Sequence, residues 1–122
     1  MDSRLNELER CKGWIEDALA YGGGTHEYED IVNSVLEGKM QLWPASQSCL
    51  VTEITLYPRK KVCHIFLGGG ELQEVLDIYR YVVQWAIDQG CSSLTTTGRK
   101  GWARVLKDEG WESHLVLLEK RL

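Results

Sequence analysis

Between Leu72 and Ile87 the apolar residues Leu72, Val75, Leu76, Tyr79, Val82, Val83, Ala86 and Ile87 recur three and four positions apart, the period of a helix with one buried face. Gly90 stands where such a helix closes on a left-handed residue, so this stretch predicts the central helix of the fold. Residues 3 to 20 repeat the period with Leu5, Leu8, Cys11, Ile15 and Leu19, and Gly22-Gly23-Gly24 ends that helix. Thr25 is expected to cap a second helix, because its hydroxyl can accept from an unpaired amide and Glu27, Glu29 and Asp30 favour the positive end of the dipole. That helix turns Ile31, Val32, Val35 and Leu36 inward and stops at Gly38.

The period then shortens to two. Met40 to Trp43, closed by Pro44, predicts a short strand; Ser48 to Tyr57 alternates and is rich in β-branched residues; Lys61 to Leu67 predicts a third strand. Pro58-Arg59-Lys60 reads as the hairpin turn between the last two, which makes them antiparallel. After the central helix come a strand at Ser92 to Thr97, a short helix at Arg99 to Glu109 ending on Gly110, and a last strand at Trp111 to Glu119. A strand, a long helix and another strand make a right-handed parallel crossover. The prediction is therefore a single α/β or α+β domain over residues 1–122, with a mixed sheet, a β-hairpin region and helices on both faces.

Composition narrows the function. A net charge of -4 argues against a general nucleic-acid binder, which needs a surplus of Lys and Arg. No run approaches the roughly 18 apolar residues of a membrane span, and the start of the chain lacks a signal-peptide core, so a cytoplasmic protein is expected. Cys11, Cys49, Cys63 and Cys91 lie far apart and read as reduced core thiols; neither they nor the three histidines have the spacing of a metal site.

The order of elements resembles the Gcn5-related N-acetyltransferase (GNAT) fold without its usual first strand. The best local match is Gly98-Arg99-Lys100-Gly101-Trp102-Ala103-Arg104-Val105-Leu106-Lys107-Asp108-Glu109-Gly110-Trp111, which looks like that family's penultimate strand, short helix and glycine-aromatic approach to the next strand. More narrowly, YGGGTHEYEDI at 21–31, QLW at 41–43, VTEI at 51–54 and TGRKGWARVLKDEGW at 97–111 resemble small GNAT-like proteins encoded by phages and prophages. The resemblance implies acetyl-coenzyme A as the cofactor of an active member. Its diphosphate would meet a Q/R-x-x-G-x-G/A turn, where free amides and a helix dipole attract an anion. Gly68, Gly69 and Gly70 are the cofactor-binding candidates here, but the flanking Gln or Arg and the intervening residue are missing, and Glu71 and Glu74 occupy the first helical turn. They would complement the dipole themselves and repel a diphosphate. The glycines are thus either a flexible strand-to-helix turn or an altered coenzyme site.

Candidate chemistry is sparse. Where many GNAT enzymes place a Tyr as general acid, four residues before the glycine, this chain has Leu106, which has no proton to give, and Arg99 stands where an Asn is common. Glu53 and His64, on the two hairpin strands, are the candidate catalytic bases, provided that they share a face; otherwise they are a half-exposed Glu and a packed strand histidine. Cys63 and His64 are adjacent in a strand and point apart, which argues against a thiol-imidazole pair. Arg99, Lys100, Trp102 and Arg104 form the candidate partner-binding face, of the Trp and Arg kind enriched in interfaces. Two functions are therefore expected. In the first, the chain is a phage-encoded GNAT-fold protein without catalysis or cofactor. It would act by protein contacts as a virion or virion-assembly component, a host-protein binder or a homo-oligomer, in the host cytoplasm or a phage particle. In the alternative, it is an acetyl-coenzyme A-dependent N-acetyltransferase for a small-molecule or protein amine.

Overall fold

The computed structural model describes residues 2–122. Its first two helices, α1 (Ser3–Arg10) and α2 (Lys12–Ala20), divide the single helix expected from the pattern. The division is slight, since Cys11 N–H still reaches the Glu7 carbonyl (3.0 Å) and Ile15 N–H the Cys11 carbonyl (3.0 Å). Asp2 begins α1, its carboxylate accepting from Arg4 N–H at 2.9 Å. Helix α3 (Tyr28–Leu36) starts later than Thr25 predicted. Asp30 reaches back to accept from Glu27 N–H (2.8 Å), so a residue inside the helix closes its end, while Thr25 Oγ1 lies 2.7 Å from His26 Nδ1.

Strands β1 (Met40–Pro44), β2 (Ser48–Leu56) and β3 (Lys61–Gly70) form an antiparallel meander, and β4 (Ser93–Thr96) joins β3 in parallel after the crossover helix α4 (Leu72–Asp88). The sheet order is β1-β2-β3-β4, the mixed sheet that the sequence predicts. Helix α5 (Lys100–Lys107) completes the described elements.

The two periods decide the packing. Alternation along β2 sends Cys49 and Val51 to one face, where they meet Leu8, Cys11, Ile15, Ile31 and Val35 from α1 to α3. Leu50, Cys63 and Ile65 point to the other face and meet Val75, Ile78, Tyr79, Val82 and Ala86 of α4. The α4 stripe is rotated slightly from the sequence reading: Ile78 is buried, whereas Leu72 and Ile87 are exposed. Helices therefore cover both faces, as expected.

Two further differences matter for function. Strand β3 does not stop at Leu67 but carries Gly68, Gly69 and Gly70 into register with Leu50, Cys49 and Ser48. The expected strand at Trp111 to Glu119 is absent: beyond Gly110 the chain enters no sheet, and Leu115 to Leu118 are exposed. Strand propensity does not bring a ladder by itself, and past Trp111 the segment stays exposed and pairs with no strand of this chain.

Candidate functional site

The pairing register settles whether Glu53 and His64 share a face. They are directly opposite in the β2–β3 ladder, with Met40 opposite Glu53 on β1 and Thr95 opposite His64 on β4. One row thus crosses the sheet on the side of α1 to α3, and His64 Nδ1 lies 2.9 Å from Thr95 Oγ1. Burial lowers the His64 pKa from its ordinary 6.5, with the Glu53 carboxylate and the Thr95 contact opposing. The imidazole is held towards its neutral form, which can accept a proton when its free lone pair is on Nε2.

A bulge shapes the next step of β3. Val51 pairs with Leu67 but Thr52 pairs with Ile65, so Phe66 is an extra residue and both Phe66 and Leu67 pack towards α2. Phe66 lies beside His64 (ring centroids 6.4 Å apart), and His26, from the loop before α3, packs edge-on against it at 4.7 Å. Sequence reasoning missed His26 and Thr95 because their proximity depends on the strand register and on a loop path. Cys63 points the other way and is buried under α4, with burial pushing its thiol up to about 11, so it forms no pair with His64.

The glycines have packing duties. A Cβ on Gly68 would meet Leu50 Cδ2 at 2.5 Å, one on Gly69 would come within 3.1 Å of Trp14, and one on Gly70 would collide with the Gln47 carbonyl and Ser48. Gly70 also has φ +108°. At the mouth of α4, Glu71 folds its carboxylate over the helix end and accepts from Gln73 N–H (3.1 Å) and Glu74 N–H (2.8 Å). Glu74 turns to the β1–β2 turn, accepting from Gln47 N–H (2.7 Å), Ser48 Oγ (2.7 Å) and Ser46 Oγ (2.9 Å). These bonds, the backbone one foremost, lower its pKa from 4.5. Two amides at this end of α4, those of Gln73 and Glu74, therefore already hold carboxylate oxygens.

Strand β4 ends opposite Ile65 while β3 runs on to Gly70, so the two part beyond that point. On the α4 side the parting leaves a cavity of about 40 Å³ among Ile65, Gly68, Val75, Thr96, Trp102 and Leu106. Trp102 packs into this region against the α4 core rather than standing out from α5, and Leu106 is buried. Arg99, at the start of α5, stacks over the Tyr21 ring at 4.0 Å, while Lys100 and Arg104 are exposed. The remaining tryptophans are likewise engaged: Trp43 donates to Thr52 Oγ1 (3.0 Å) and meets Trp85, and Trp111 donates to the Tyr79 hydroxyl (3.0 Å).

A larger open cleft, about 450 Å³, lies between α2 and α3 and is lined by Lys12, Glu16, His26, Glu27, Tyr28 and Glu29. Its volume exceeds that of the α4-side slot, but it contains none of the row that brings a base and a hydroxyl together; His26 alone links it to that neighbourhood, through Phe66. Among the described residues no group of three His, Cys, Asp or Glu side chains is placed to hold a metal ion, and no helix is long and apolar enough to cross a membrane.

Comparison with known proteins agrees with this architecture. No protein-family model matches the sequence, and no curated protein matches it. Solved structures do. A probable acetyltransferase superposes with a TM-score of 0.70 at 10% identity, covering 97% of this chain and 92% of its own. An aminoglycoside acetyltransferase from an uncultured soil metagenomic sample, solved with sisomicin, gives 0.66 at 11% identity, covering 96% and 91%. A Trypanosoma brucei acetyltransferase gives 0.61 at 12% identity, covering 79% and 78%. The chain has the GNAT-like fold, a mixed sheet with helices on both faces.

Proposed function

We propose that this GNAT-fold chain works by protein contacts and not by acetyl transfer. The observation that carries the proposal is Glu71: its carboxylate takes the two helix-end amides, Gln73 N–H and Glu74 N–H, on which a coenzyme diphosphate would depend. Leu106 in place of a proton donor, and a slot of about 40 Å³ already occupied along one side by Trp102, point the same way. A drug-sized ligand needs some 300 Å³ or more. The contact face in this reading is the exposed Lys100 and Arg104 with Arg99 at the head of α5, Trp102 serving as the packed floor beneath them. The likeness of residues 21–31, 41–43, 51–54 and 97–111 to phage and prophage proteins makes a virion component, an assembly factor or a host-protein binder the form of contact we favour.

One observation supports a second reading, N-acetyl transfer to an amine: Glu53, His64 and Thr95 stand in one row, and His64 is biased to the neutral form. Calorimetry with acetyl-coenzyme A separates the two. The protein should give no binding heat at millimolar coenzyme, and Glu71→Gly, which uncovers the amides, should bind more tightly than the parent chain. A micromolar dissociation constant for the unaltered protein would overturn the contact reading and leave the enzyme.

A further inference from the structure

Beyond Trp111 the chain runs to Leu122 without a helix, turn, bend or strand partner. Its point of departure is fixed, because the Trp111 indole donates to the Tyr79 hydroxyl (3.0 Å) and the Trp111 amide to the Leu106 carbonyl (3.2 Å). The arm carries an apolar run, Leu115-Val116-Leu117-Leu118, and it is spent on solvent: the four are 93, 83, 84 and 86% exposed. In an extended strand two of them would face each side, the pattern of a strand covered on both faces. Exposed apolar runs of this kind mark interaction sites.

The same molecule carries a matching vacancy in its sheet. Strand β4 pairs only with β3, which leaves the outer backbone groups of Ser93–Thr96 free to template another strand. The other edge strand, β1, ends on Pro44, which has no amide to donate. Leu94 of β4 and Trp111 pack on the same α4 core, so the arm leaves from the part of the molecule that holds the free edge. Within this chain the arm and the β4 edge are thus both left without a partner. A second copy offers each of them its complement, whereas a foreign partner would cover only one.

We infer that the segment 113–119 docks as an added strand along β4 of a second copy, whose own segment fills the first copy's β4 edge, closing a two-fold dimer. This inference does not rest on the function proposed above: it concerns the β4 edge and the C-terminal arm, not the head of α5 or the mouth of α4.

Sedimentation equilibrium in the micromolar range, paired with amide hydrogen exchange, tests it on the full chain. The full chain should have the mass of two copies. A chain ended after Glu112, and the full-length Leu115→Glu with Leu117→Glu variant, should have the mass of one, with an unchanged circular dichroism spectrum because those side chains are exposed in their own chain. Exchange at residues 115–118 and at β4 should be slowed by at least about tenfold in the full chain, and at β4 the slowing should vanish on truncation. A full-length monomer overturns the inference, whether its arm exchanges freely or is protected by returning to its own sheet. So does a dimer that survives truncation, or an open-ended polymer in place of a closed pair.

Discussion

Gly70 shows how one residue can look like a ligand site and act as a packing device. With φ +108° and its α-hydrogen turned against the Gln47 carbonyl and Ser48, it has no room for a methyl group. Gly70→Ala combines left-handed strain with a backbone collision and should cost about 3 kcal/mol or more, lowering the melting temperature by roughly 10 °C. Gly68→Ala meets only the end of the Leu50 side chain and should be milder, about 1–2 kcal/mol. Thermal melts of the two variants check the order; equal losses would mean that the contact at Gln47 does not govern. His64 offers a second test at this scale. Its folded pKa lies below the unfolded 6.5, so the folded state binds less proton than the unfolded one as the pH falls. Stability should therefore be level above pH 6.5 and decline from there down through the folded value. Urea midpoints across that window should lose this slope in His64→Gln. Because Glu53 raises the His64 pKa, Glu53→Gln should lower it further in an NMR titration.

At the scale of elements, what the sequence made legible is what repeats. The stripe on α4, the alternation of β2 and the hairpin at Pro58-Arg59-Lys60 come from local periods, and with them the order of the mixed sheet. Placements that depend on a neighbour were hidden. The glycine run reads as a turn because Gly has low strand propensity, yet its pairing with Ser48, Cys49 and Leu50 extends β3 through all three glycines. Thr25 looks like a cap, but the Glu27 amide and Asp30 carboxylate close α3 between themselves. The row of Glu53, His64 and Thr95 needed a register, which runs unbroken from Leu56 opposite Lys61 at the hairpin, while the bulge at Phe66, with no local signature, shifts only the pairs from Val51 onward to Ser48. Electrostatic reading fared better, since acidic residues at the head of a helix satisfy its amides directly: Glu71 does so for α4. Trp102 illustrates the limit of composition, as an aromatic between basic residues suggests an exposed anchor while its ring packs against the α4 core.

For the whole molecule, the exposed arm has a thermodynamic consequence that no single chain would display. If folding is completed by exchange of arms, unfolding one dimer releases two chains, and mass action makes stability depend on protein concentration. A tenfold rise in concentration adds about 1.4 kcal/mol per dimer, which is RT ln 10. Two chains of 122 residues unfold with an entropy near 0.5 kcal/mol/K, at about 2.1 cal/mol/K per residue. The melting temperature should therefore climb by about 3 °C for each tenfold increase in concentration. A chain ended after Glu112 should melt at one temperature throughout the same series, because it retains the α4 and α1–α3 cores but has no strand to exchange. The truncated chain should also melt lower at high concentration, since burying a Leu or Val side chain is worth about 1.5–3 kcal/mol and it forgoes four of them. A full chain whose melting point ignores concentration would require those four side chains to stay in water, leaving the free edge of β4 as a site for some other strand.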